Sequence, residues 1–174
     1  MAEIAQTGWL SADFFTHSYR ISGRVDVHRK NLADLLNDQT TSFVELEDAY
    51  ISSIDRPGDI IATYPASGLA KVNLTIVLAP RQDDVLSRKL AYGSYSGAYI
   101  NKVFLTVPSF EITGYLRLPT RVDLRRMLSA EVEEFIAVVD GQARASIRPD
   151  VYFNSGGILV NKRQIGAFCL EKET

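Results

Sequence analysis

Two histidines and one cysteine, His17, His28 and Cys169, are the side chains here best suited to bind a transition metal or to act as a base or nucleophile near neutral pH. Zinc and haem sites need such ligands clustered at close spacing. The histidines stand 11 residues apart (28 − 17) and the cysteine is remote from both. No metal and no cofactor is therefore expected. Cys169 lies in Ala167-Phe168-Cys169-Leu170, an apolar setting that predicts an inert core thiol on a strand. Gly93-Ser94-Tyr95-Ser96-Gly97 approaches a serine-hydrolase elbow, but its serines fall at the wrong positions and no strand precedes it. It reads as a loop. Ser155-Gly156-Gly157 is too short to cradle a phosphate. The carboxylates Glu45, Glu47 and Asp48 fall on one strand pattern, where Glu45 and Glu47 share a solvated face. No acid–base set converges, so an enzyme is not expected.

Binding chemistry is better represented. Arg117, Arg121, Arg125 and Arg126 cluster, and Lys162 and Arg163 follow later. Arg121 and Arg125 are four apart and can share a helix face. Such a patch could meet phosphate or an acidic partner, but the preferred reading is a solvated face paired with Glu131, Glu133 and Glu134. The formal net charge of −2 and a pI near 5.7 argue against a broad polyanion-binding surface.

The elements that position these residues are announced by a repeat. Ser18-Tyr19-Arg20-Ile21-Ser22-Gly23 returns as Ser109-Phe110-Glu111-Ile112-Thr113-Gly114, an offset of 91 (109 − 18). Leu32, Leu36, Phe43, Asp48, Arg56 and Pro57 return as Leu124, Leu128, Phe135, Asp140, Arg148 and Pro149, an offset of 92 (124 − 32). One residue is inserted between the two blocks. Neither histidine recurs: His17 aligns with Pro108 and His28 with Pro119, so both read as exposed loop-edge residues.

Each copy gives the same order of elements. Alternation at Tyr19, Ile21, Gly23, Val25 and Val27 predicts a strand with one buried face, and Gly23 and Gly114 mark a bend or close approach on it. Leu32, Leu35 and Leu36, then Leu124, Met127 and Leu128, make one face of a short helix capped by Asn31 or Asp123. Strands follow from Ser42 and from Glu134, with Arg-Pro turns after each at 56–57 and 148–149. A weak strand is expected over Ile60–Tyr64, and the first copy closes on a strand over Lys71–Leu78. The second copy ends with a polar turn at Asn161-Lys162-Arg163, which the first is expected to lack. Asp83–Leu90 suggests a short helix in the connector. The fold class is mainly β with short helices: two tandem small, partly open β-barrels related by internal duplication. The first repeat spans residues 1–80, a linker 81–100, and the second repeat 101–174. Modules this small have thin cores and must lean on one another.

The strand Phe43-Val44-Glu45-Leu46-Glu47-Asp48-Ala49 resembles the third strand of Sm-like proteins. The segment Ile158–Ile165 is similar to that family's closing hairpin. Each half thus resembles an Sm-like or SH3-like barrel, and the duplicated unit also resembles an uncharacterised bacterial domain. The first resemblance implies a small bent-strand barrel, and the second implies no activity.

The copies differ in what they show to solvent. Where the first has Glu45 and Glu47, the second has Ala137 and Val139. An apolar strand face on a soluble chain needs a cover: the first barrel, another subunit or another protein. The expected function is that of a non-enzymatic assembly or adaptor protein, a subunit of a larger complex or homo-oligomer. The alternative is RNA or single-stranded nucleic-acid binding through the basic patch, with Tyr115 or Tyr92–Tyr99 stacking on bases. The N-terminus has no basic and apolar leader, and no apolar run approaches bilayer length. A cytoplasmic protein without membrane insertion is expected.

Overall fold

Period-two alternation builds most of the molecule. The computed structural model describes residues 8–28, 30–86, 99–129 and 133–171. The first half runs β1 (Trp9–Phe15), β2 (Tyr19–Asp26), α1 (Leu32–Asn37), β3 (Phe43–Ser53), β4 (Arg56–Ala70), a 3-10 turn (Lys71–Asn73) and β5 (Ile76–Ala79). A second 3-10 turn, Gln82–Asp84, follows. The second half runs β6 (Tyr99–Val107), β7 (Phe110–Leu118), α2 (Leu124–Met127), β8 (Phe135–Ala145), β9 (Tyr152–Asn161), a 3-10 turn (Lys162–Gln164) and β10 (Ala167–Leu170).

The helices form where capping was expected. Asn31 accepts from the Asp34 N–H while Asp34 reaches back to the Asn31 N–H, which satisfies two orphan donors of α1. Asp123 accepts from the Arg126 N–H and starts α2.

All strands join one antiparallel sheet in the order β10-β6-β7-β8-β9-β5-β1-β2-β3-β4. The sheet does not close into barrels. Its ends are β4 and β10, joined to nothing on their outer sides among the described residues. Within it, β5-β1-β2-β3-β4 and β10-β6-β7-β8-β9 follow the same order, and the two sets meet where β5 pairs with β9.

The pairing registers of the two sets correspond. Tyr19 faces Ser53 as Phe110 faces Ala145, and both ladders slip at the same place, after Ser22 and after Thr113. The bulged residues Asp48 and Asp140 have left-handed φ angles of 52° and 47°. The glycines next to these bulges are close approaches, as expected. A Cβ on Gly23 would meet the Glu47 carbonyl oxygen at 3.2 Å, and one on Gly114 would meet Val138 Cγ1 at 2.5 Å.

Two apolar cores result, and both take residues from each half. One joins Phe14, Val25, Leu32, Leu36 and Leu46 to Phe135, Val139 and Leu159. The other joins Phe15, Ile54, Ile76 and Leu78 to Ile112, Val138 and Ile158. The junction strands are buried on both faces, which is why Ile76–Ala79 and Ile158–Val160 are unbroken apolar runs rather than alternating ones.

Several expectations change. Arg56-Pro57 opens a 15-residue β4 instead of interrupting the chain, whereas Arg148-Pro149 does lie at a turn. The Lys71–Asn73 turn is the counterpart of Lys162–Gln164, so the first half has the turn it was expected to lack, and β5 begins only at Ile76. Cys169 is exposed, because β10 is an end strand with one flank uncovered. Of the expected connector helix only Gln82–Asp84 is seen, and residues 87–90 lie outside the described ones, as does Gly93–Gly97.

Candidate functional site

Among the described residues, a cleft of about 780 Å³ is lined by residues of β1, β2, β3, β5 and β9. Its charges are already spent on each other. Arg20 pairs with Asp13 at 3.1 Å and lies over the Phe153 ring at 5.0 Å. Arg24 pairs with Glu47 at 3.1 Å and Asp48 at 3.0 Å, and lies over Trp9. Ser22 Oγ donates to Asp13. The Asp13 carboxylate that accepts from Ser22 is the one held by Arg20. Among the described residues no group of three or more His, Cys, Asp or Glu side chains is placed to hold a metal. His17 and His28 are exposed, the first against Gln164 and the second beside Asp26.

The junction between the halves is continuous and bonded through both backbone and side chains. Ile76 faces Val160, Val77 faces Leu159, Leu78 faces Ile158 and Ala79 faces Gly157. Polar contacts extend it. The Asn161 N–H donates to Thr75 O at 3.0 Å, Asn161 Nδ2 to Leu74 O at 2.8 Å, and Ser155 Oγ to Ala79 O at 2.7 Å. Asn37, at the end of α1, accepts from the Phe135 N–H at 2.8 Å and donates to its carbonyl at 3.4 Å. Lys71 Nζ holds α1 in place by donating to Leu35 O and Asp38 O, each at 2.8 Å, and to Thr41 Oγ1 at 2.7 Å. Burial holds the Lys71 ammonium below its usual pKa, opposed by the nearby Asp38 and Glu134 charges. Glu133, still exposed, is pushed up by partial desolvation and by Asp34 across the junction.

Ala137 and Val139 belong to this junction. Val139 is buried in the first core and Ala137 packs against it. Their cover is the first half of the chain itself.

The basic residues are not one patch. Arg163 pairs with Glu134 at 2.9 Å, and Lys162 Nζ donates to Ser129 O. Arg117 lies on β7 with its Nε buried and unbonded. Arg121, Arg125 and Arg126 are exposed around α2 and, among the described residues, form no ion pair. Glu133 and Glu134 form no ion pair with them, and Glu131 lies outside the described residues. Of the aromatic residues expected near the patch, Tyr115 and Tyr99 are exposed, and Tyr92 lies outside the described residues.

What the sequence did not flag are the sheet ends. The β4 end shows Phe43, Ile60, Ile61 and Tyr64 to solvent, the other end leaves β10 with an unpaired flank, and Leu124 and Leu128 of α2 are exposed. Exposed strand edges are templates for pairing with another chain.

Comparison of the chain with protein-family models, with curated proteins and with solved structures gave no match. No helix among the described residues is long and apolar enough to cross a membrane.

Proposed function

We propose that this chain is a non-enzymatic structural subunit that acts within an assembly formed through its two sheet ends. It is built as a duplicated small barrel-like unit of the Sm-like or SH3-like kind. The shared strand order and matching bulges of the two halves support the duplication. One observation carries the assembly reading. Positions that are covered at the junction between the halves are bare at the ends: Phe135 is 1% exposed and its counterpart Phe43 is 58% exposed. The single thiol fits a reducing, cytoplasmic compartment.

Native mass measurement on protein purified from its own host tests this reading. A mass above that of one 19.4 kDa chain is expected. A lone monomer with nothing attached refutes it.

The unpaired Arg121, Arg125 and Arg126 support a second reading, contact with single-stranded RNA. A band shift at low salt that disappears in Arg125→Glu/Arg126→Glu would establish it, and no shift at low salt would remove it. The engagement of Lys162 and Arg163 within the chain makes this the weaker reading.

A further inference from the structure

We infer that the partner at the sheet ends is a second copy of this chain, whose β10 pairs head to tail with β4 in the register of the internal β5–β9 junction. This rests on the assembly reading above. The place that β9 takes in the second half is taken by β4 in the first, and the place of β5 is taken by β10. The sheet therefore carries at its two ends the positional counterparts of the two strands that it joins in its middle. The corresponding register sets Ala167 opposite Leu69, Phe168 opposite Gly68, Cys169 opposite Ser67 and Leu170 opposite Ala66. Both β5 and β10 have 4 residues. Phe168 would face a glycine, which leaves room for its ring.

The backbone is in phase for this pairing. The Asn161 N–H bonds Thr75 O across the junction, and hydrogen-bonded pairs alternate along an antiparallel ladder. The outward groups of β4 are then those of Ala66, Gly68 and Ala70. Pro65, which lacks an N–H, faces inward at the Asp48 bulge, where the β3–β4 register skips a pair. It does not interrupt the outer edge.

The side chains match as well. At the junction α1 packs beside β8, with Leu32 0%, Leu36 2% and Phe135 1% exposed. Their counterparts at the ends are Leu124 at 36%, Leu128 at 44% and Phe43 at 58%. Two further differences compensate each other. Ala33 of α1 corresponds to Arg125 of α2, while Ala137 and Val139 of β8 correspond to Glu45 and Glu47 of β3. Small and apolar groups meet inside the chain, and the Arg125 cation would meet the Glu45 carboxylate between chains. Neither Arg125 nor Glu45 has an ion-pair partner among the described residues. A head-to-tail contact repeats, giving a ring where the rotation closes and a filament where it does not.

Ser67→Cys tests the register with the natural Cys169. The pair corresponds to Leu78–Ile158, a non-hydrogen-bonded position by the alternation above. Such pairs have Cα atoms about 4.5 Å apart, and disulfides span about 4.4–6.8 Å. Mild oxidation should give a ladder of covalent multimers that collapses on reduction. Ser67→Cys/Cys169→Ser and Ile61→Cys should give none. Leu69→Cys/Ala167→Cys in a Cys169→Ser background reports the same register independently. In sedimentation, Arg125→Glu should self-associate at least about tenfold more weakly, and adding Glu45→Arg should restore the mass. A multimer that neither cysteine pair captures overturns this inference and leaves the assembly reading standing, as does a chain found bound only to a different protein. A monomer both from the host and at every concentration in vitro overturns both.

Discussion

The junction in the middle of the sheet and the two ends of the sheet are built from corresponding residues, yet they meet different surroundings. At the junction, Phe135, Leu32 and Leu36 are buried, and Asn37 holds the Phe135 backbone. At the ends, Phe43, Leu124 and Leu128 face solvent. The difference teaches that burial here is not written into a residue or its local element. It depends on whether another strand lies alongside, and at the ends of the open sheet none does among the described residues.

The comparison can be broken by truncating matched residues on its two sides. Phe135→Ala should cost about 3–5 kcal/mol of unfolding free energy by urea titration, since it empties a packed core. Phe43→Ala should change the monomer by no more than about 0.5 kcal/mol. Equal costs would mean that the two sites are not distinguished by cover. The glycines sharpen the contrast next. Gly114→Ala should cost about 1–3 kcal/mol, because its Cβ meets Val138 Cγ1 at 2.5 Å and the Gly141 backbone at 3.0 Å. Gly23→Ala should cost less, with its nearest contacts at 3.2 Å. Asn37→Ala should cost about 1 kcal/mol and raise hydrogen exchange at the Phe135 amide, which loses its acceptor.

The smallest effect is electrostatic. Partial desolvation and Asp34 raise the Glu133 pKa above its ordinary 4.5. A raised carboxyl pKa favours the fold in acid, and that contribution is lost as pH rises through the folded-state value. Glu133→Gln should therefore raise the melting temperature at neutral pH, and the gain should vanish in acid. Asp38, lowered by its hydrogen bonds to Thr40, has the opposite sign. Its contribution is present above the ordinary 3.8 and lost as pH falls further, so Asp38→Asn should lower the melting temperature at neutral pH. A flat pH dependence for both differences would contradict these assignments.

The elements were legible because their causes are local. Alternation gave β2, the Leu spacing gave α1, Asn31 and Asp123 gave the caps, and the repeated Gly23 and Gly114 marked the bulged strand pairs. The single inserted residue was also visible, as the step in offset between β2 and α1. The long β4 was not, because Ile60, Ile61 and Tyr64 lie among Pro57, Gly58 and Pro65, which read as turn signals. The exposure of Cys169 was hidden because an apolar neighbourhood in sequence does not say which flank of the strand is covered. Of the candidate site, Ala137 and Val139 drew notice as an apolar face needing cover, but Phe43, Leu124 and Leu128 did not, since an exposed residue and a buried one look alike in a string.

The sequence by itself determined that residue types recur at offsets of 91 and 92, which residues could alternate or cap, and that the matching segments differ in charge at Glu45 and Glu47 against Ala137 and Val139. Those are properties of spacing and composition, decided within a few residues. Only the tertiary structure decided that β9 joins β5, that one open sheet forms rather than closed barrels, and that β4 and β10 are left as its ends. Strand pairing between distant segments is set by packing on both faces at once, and no local pattern encodes it.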